Sequence, residues 1–204
     1  MTINVRPTKF LATLACTLLL AGATACTPFF GGSGMNPHHA EDLRNASKME
    51  SVEAFQRDIE PAIVAARNEI LTSENIRKYS AKDSISRSTA GNQYLYSMFA
   101  AHYFFEEHDV DRFRSVVNAH LEPLGFEIVE RKHIDDGKTR IKFYWVNERY
   151  GATVSALIAR DIHSSYTYYT EPLRSDGSTD DPKRLIDLPG RVPDWFDPTT
   201  TPRK

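Results

Sequence analysis

Cysteine is nearly absent from this chain, and the little there is lies near its start. Among 204 residues only Cys16 and Cys26 are cysteines, and Cys16 falls inside an apolar leader. Beyond Cys26 no thiol remains, which excludes an internal disulfide and a Cys-ligated zinc site in the rest of the chain. Stability has to come from a core, and 41% hydrophobic with 11% aromatic residues is enough to build one. An excess of charge is missing as well. Of 25 basic residues two, Arg6 and Lys9, belong to the leader, which leaves 23 against 27 acidic ones, a formal charge of −4. That balance offers no electrostatic footing for nucleic acid. Catalytic motifs are equally scarce. There is no phosphate loop of the Gly-x-x-x-x-Gly-Lys kind and no His-Glu-x-x-His. Gly31-Gly32-Ser33-Gly34 sits in a Gly-rich linker without the strand–turn–helix setting of a serine nucleophile. Neither a catalytic residue nor a resident metal nor a cofactor is predicted, and the chain is not expected to be an enzyme.

What is present begins with Arg6 and Lys9, followed by an uncharged apolar run from Phe10 to Ala25. It is shorter than the roughly 20 residues of a membrane span. The run leaves through small residues, Leu20-Ala21-Gly22-Ala23-Thr24-Ala25-Cys26. A basic start, an apolar centre and a small-residue exit describe a secretory signal over residues 1–25. The Cys that follows at once predicts lipidation of Cys26 as the first mature residue. Ala23-Thr24-Ala25 also suits ordinary signal peptidase, so plain secretion is the alternative. Each buried methylene contributes about 0.8 kcal/mol and stable anchoring takes two chains, which a diacylglycerol on sulfur provides. The expected address is the extracytoplasmic face of the cell membrane, held there by lipid, with a protein or cell-wall component as partner.

Residues 26–46 carry Gly, Pro and Ser with few aliphatics and read as a flexible tether. At about 5–6 Å × √n, such a tether sets the domain on the order of 25 Å from the bilayer. An α+β domain is expected over 47–172. Ser47-Lys48-Met49-Glu50 is a capping box for a helix reaching Leu71, with Val52, Phe55, Ile59, Ile63, Ala66 and Ile70 on one face. Pro61 either kinks that helix or starts a second one. Residues 72–93 look polar and irregular, and Tyr94 to Phe105 reads as one central strand or a buried helix. A helix from Val110 to Leu121 follows, closed by Leu124-Gly125. Strands are expected over 126–134, 139–146, 152–159 and 164–170, the first pair joined at Asp135-Asp136-Gly137-Lys138. The fold class is a two-layer α+β sandwich, an antiparallel sheet of about four to five strands packed against two helices. Six of the 11 prolines fall at 172 and beyond, so 173–204 reads as a Pro-rich tail, with Leu185, Ile186, Val192, Trp195 and Phe196 as anchors across the domain.

Two constellations compete as sites. His102, Glu106 and His108 form the densest polar cluster; at i, i+4 His102 and Glu106 share a helical face, and on a strand all three point one way. They are the basis of the alternative function, a metal-dependent hydrolase, although Asp and Glu before a helix also serve as caps. His38-His39 has no third ligand in reach along the tether. The second constellation is aromatic: Tyr144, Tyr150, Tyr166, Tyr168 and Tyr169 all fall in the predicted meander. One sheet face has to cover the helices, so some of these rings are expected on the open face, where Tyr suits a glycan or protein partner.

Taken together, the segments resemble the uncharacterised lipoproteins of actinobacteria of the LppA-like kind. The resemblance rests on Ala23-Thr24-Ala25-Cys26, the Tyr94–Phe105 run before a helix, and Leu124-Gly125-Phe126. It continues in Tyr150-Gly151-Ala152-Thr153-Val154 and in Ile186-Asp187-Leu188-Pro189 ahead of a Pro- and Thr-rich end. It implies a lipid-anchored α+β domain outside the membrane and brings no catalytic residues with it.

Overall fold

The computed structural model describes residues 37–80, 82–135 and 138–197, with backbone alone at 37–40, 133–135 and 138. The leader, Cys26, the first part of the tether, the Asp136-Gly137 turn and the last seven residues lie outside the described residues, as do the His38 and His39 side chains.

Among the described residues four α-helices and eight strands follow one another in the order α1 (Pro37–Ala46), α2 (Val52–Asp58), α3 (Glu60–Ile70), β1 (Ile76–Ser80), β2 (Ser84–Ala90), β3 (Gln93–Phe99), β4 (His102–Phe105), α4 (Val110–Leu121), β5 (Glu127–Asp135), β6 (Lys138–Asn147), β7 (Ala152–Ala159) and β8 (Ser164–Thr170). The sheet is antiparallel and larger than the four to five strands expected. Its main path runs β1-β4-β8-β7-β6-β5, and β2 joins through β3, which also touches β8. One edge of β8 pairs with β7 along its length. The other is shared, with β4 at Ser164–Tyr166 and β3 at Tyr169.

The extra strands were hidden for a physical reason. In β2 only Ile85 and Ala90 are buried, and in β1 only Tyr79, so neither shows a period of two. The Tyr94–Phe105 run is two strands rather than one. Ala100 donates to the Tyr168 carbonyl at 2.9 Å and Ala101 N to Asp83 Oδ1 at 2.7 Å, and there the chain steps from one part of the β8 edge to the other.

The first helical segment also divides. Ser51, not Ser47, is the cap of α2, accepting from Ala54 N at 3.0 Å. Pro61 sits in the first turn of α3, where its missing N–H costs nothing. Ser47 instead closes α1, its hydroxyl donating to the Arg44 carbonyl at 2.6 Å. A helix therefore occupies Pro37–Ala46, part of the stretch read as tether. Its Leu43 and Ala46 find Ala90 and Leu95 to pack against.

The other helices cover one face of the sheet. Phe113 of α4 stacks against Phe105 and Phe143 and meets Trp145 and Tyr166. Trp145 Nε1 donates to Asn118 Oδ1 at 2.7 Å, so the largest buried ring keeps its polar edge satisfied. Because Leu95 points opposite to Tyr96 and Met98, α1 touches the other face, at the β2–β3 end alone. The tail is an integral strap: a 3-10 turn at Pro182–Asp187 is followed by Arg191, buried at 4% exposure, and by Phe196 against Tyr79 and Tyr103.

Candidate functional site

Alternation along the strands sorts the five tyrosines. Tyr168 pairs with Val154, and Val154 with Trp145, so all three share the helix-covered face. Tyr166 and Tyr168 are fully buried, and their hydroxyls are spent inside: Tyr166 donates to the Ile63 carbonyl at 3.1 Å and Tyr168 to Glu60 Oε1 at 2.5 Å. Burial pushes both phenols well above their ordinary value. Tyr150 is also buried, its hydroxyl 3.5 Å from Asp58 Oδ2. These three are core and anchoring residues, which corrects their assignment as ligand contacts. Tyr144 and Tyr169 are half-buried on the opposite face.

That opposite face is the candidate site. Across it Lys142 stands opposite Leu157, Leu157 opposite Ser165, Ser165 opposite Phe104, and Phe104 opposite Lys78. On the β5 side Arg131 faces Lys142 and Val129 faces Tyr144. Toward β3 the row Thr153, Tyr169, Phe99 runs in the same direction. The cations lie against rings: Lys78 Nζ is 5.2 Å from the centre of Phe104, Lys142 Nζ 4.9 Å and Arg131 Cζ 5.9 Å from that of Tyr144. Phe99 and Val129 are each 44% exposed, large apolar groups left uncovered by any described element. Apart from Glu127 near one corner, the residues named on this face are basic or uncharged.

At the Phe104 end the face drops into a groove of about 570 Å³ between β4, the β7–β8 turn and the start of α4. Lys78, Phe104, Glu106, His108, Arg160, Asp161 and His163 border it. Both acids there hold guanidinium partners. Glu106 accepts from Arg77 Nε at 2.7 Å and from its Nη2 at 2.5 Å, and Asp161 accepts from Arg140 Nη2 at 2.6 Å. The Arg77 contact, helped by His163 and His108, keeps the Glu106 carboxyl below the usual range.

The His102, Glu106 and His108 alternative does not assemble in this geometry. His102 stacks on Phe104 at 4.5 Å, Glu106 is held by Arg77, and His108 Nδ1 donates to the Ala159 carbonyl at 3.0 Å. Among the described residues no three His, Cys, Asp or Glu side chains gather where a metal ion would be held. No described helix is long and apolar enough to cross a membrane.

Sequence reasoning missed Lys78, Phe104, Arg131, Lys142, Arg160 and His163. The alternation Arg140, Lys142, Tyr144, Val146 against Ile141, Phe143, Trp145 was the available signal for the basic side of β6. Nothing local marked Lys78 or Arg160, which the topology brings together from strands read as irregular or as a turn.

Fold and site together define an α+β domain with an open, basic and aromatic sheet face. The chain belongs to the family of the domain of unknown function DUF4853, which matches residues 48–181. Among solved structures it is similar to a DUF4853 family protein from Actinomyces odontolyticus, with a TM-score of 0.49 at 14% identity over 67% of this chain and 76% of that one. No curated protein matches the sequence.

Proposed function

We propose that this protein is a non-catalytic envelope lipoprotein, lipidated at Cys26, whose open sheet face holds an anionic glycan of the cell wall. The address rests on the signal anatomy of residues 1–25 and on the resemblance to LppA-like lipoproteins. The binding role rests on one observation: Lys78, Lys142 and Arg131 lie against the rings of Phe104 and Tyr144 on a face that described helices leave open except at its β2–β3 end, where α1 packs. Sugar rings stack on exposed aromatic planes through their C–H faces, and acidic substituents pair with the flanking cations. The contrast with the formal charge of −4 beyond the leader makes this face a local basic site rather than a consequence of composition. Each ring contact also orients its cation, by an interaction worth about 0.5–1 kcal/mol at exposed sites.

Polygalacturonate and neutral dextran are suitable probes for protein extracted in detergent. Retention of polygalacturonate, weakened in high salt and at least tenfold weaker in Lys142→Ala and Tyr144→Ala, is the expected result. Equal retention of dextran, or none of either polymer, overturns the reading. The address has its own test in mass spectrometry of the native N-terminus: a diacylglyceryl mass on Cys26 is expected, and an unmodified thiol defeats it.

A further inference from the structure

The groove at the Phe104 end of the face has a charge pattern of its own. Arg77 and Arg140 are paired with the two acids that border it, Glu106 and Asp161. Lys78 and Arg160 also border it, and among the described residues neither makes an ion pair or hydrogen bond to a carboxylate. They come from strand β1 and from the end of β7, so the fold and not a run of basic residues brings them together. Two imidazoles complete the rim. Nδ1 of His108 is committed to the Ala159 carbonyl, which leaves its Nε2 as the only ring nitrogen for another partner. His163 lies near enough to Glu106 to act on the same carboxylate as His108.

We infer that this groove is a phosphate subsite. The inference rests on the glycan reading and names the acidic group that the face takes at this end: a phosphate monoester or diester carried on the polymer. Two permanent cations match a phosphate of one to two negative charges. A guanidinium offers it paired N–H donors, an ammonium a point charge and each imidazole a single donor once its ring is protonated, a set that surrounds a tetrahedral oxyanion better than a planar carboxylate. Phe104, with Lys78 over its ring and His102 stacked on it, closes the side toward the open face, so a polymer lying across that face places its substituent in the groove.

The test titrates full-length protein in detergent with glucose 6-phosphate, inorganic phosphate and acetate, reading the ring signals of His108 and His163 by NMR. Saturable shifts at both imidazoles with the two phosphates, and none with acetate, are expected. Arg160→Ala and Lys78→Ala each weaken phosphate binding at least tenfold, whereas Tyr144→Ala leaves it unchanged. Phosphate binding that survives Arg160→Ala, or equal shifts with acetate, overturns the subsite. The two readings fail separately: loss of polygalacturonate retention bears on the face, and loss of phosphate response on the groove.

Discussion

Arg191 and Glu60 meet in the interior although 131 residues separate them. The Arg191 Nε donates to Glu60 Oε1 at 2.7 Å, and the Tyr168 hydroxyl donates to the same oxygen at 2.5 Å. Glu60 at 2% and Arg191 at 4% exposure are almost fully buried, and Glu60 Oε2 and Arg191 Nη1 have no partner among the described residues. Burial pushes the Glu60 carboxyl up, against the pull of Arg191 and Tyr168. The pair fastens the C-terminal strap to α3.

Breaking this pair from one side is expected to cost far more than removing it whole. Arg191→Met strands a buried carboxylate and lowers stability by about 3–5 kcal/mol, whereas replacing a buried pair by apolar groups is often close to neutral. Urea unfolding of Arg191→Met, and of the same variant with Glu60→Leu, measures the difference. The double variant should regain most of the loss; if it unfolds as early as the single one, the stranded charge is not the cause.

Alkaline stability should carry a signature of Tyr103. This ring is 1% exposed, and burial, with Asp83 nearby, pushes its phenol from 10.0 up to about 12, while Arg67, 5.2 Å over the ring, pulls the other way. The folded chain thus holds this proton more tightly than the unfolded one. The contribution is complete below about pH 10 and is lost as pH rises through about 12. At about 1.4 kcal/mol per pH unit, it amounts to about 3 kcal/mol. Tyr166 and Tyr168 act with the same sign, so the readout is the difference between wild type and Tyr103→Phe in urea midpoints from pH 9 to 12. Parallel curves would remove Tyr103 from the account.

Gly151 is expected to resist substitution more strongly than Gly177. Both have positive φ, +55° and +77°, so any side chain meets a backbone cost of about 1–2 kcal/mol. A Cβ at Gly177 has nothing within 4 Å, but one at Gly151 comes 2.5 Å from Met49 Sδ, 3.1 Å from Glu171 Cβ and 3.2 Å from Leu173 Cδ2. Thermal unfolding of Gly151→Ala and Gly177→Ala separates conformation from packing. Equal losses would show that Met49 simply swings away.

The meander was legible because its sequence alternates strongly. Phe143 and Trp145 are buried on one side of β6 and Lys142 and Tyr144 lie on the other, as period two requires. Helix α4 was equally clear, from the stripe that buries Phe113, Val117 and Leu121, and the structure gives Asp109 as its cap. Strands β1 and β2 were not, since an edge strand with one or two buried residues leaves no period to read. The face of each tyrosine depended on register. Tyr166 and Tyr168 looked like surface candidates until pairing set them beside Ala156 and Val154. Glu60 and Arg191 gave no signal at all, because a buried ion pair between a helix and a Pro-rich strap is a tertiary fact.

The shared edge of β8 has a consequence for how the chain is made. Strand β1 pairs with β4, β2 with β3, and β5–β7 form a meander, and only β8, Ser164–Thr170, joins these three groups. A nascent polypeptide emerging N-terminus first therefore carries three half-built ribbons, each with an unsealed margin open to self-association. They fuse when the eighth and last strand arrives. Truncations that stop short of Ser164 should yield aggregates instead of a smaller soluble domain.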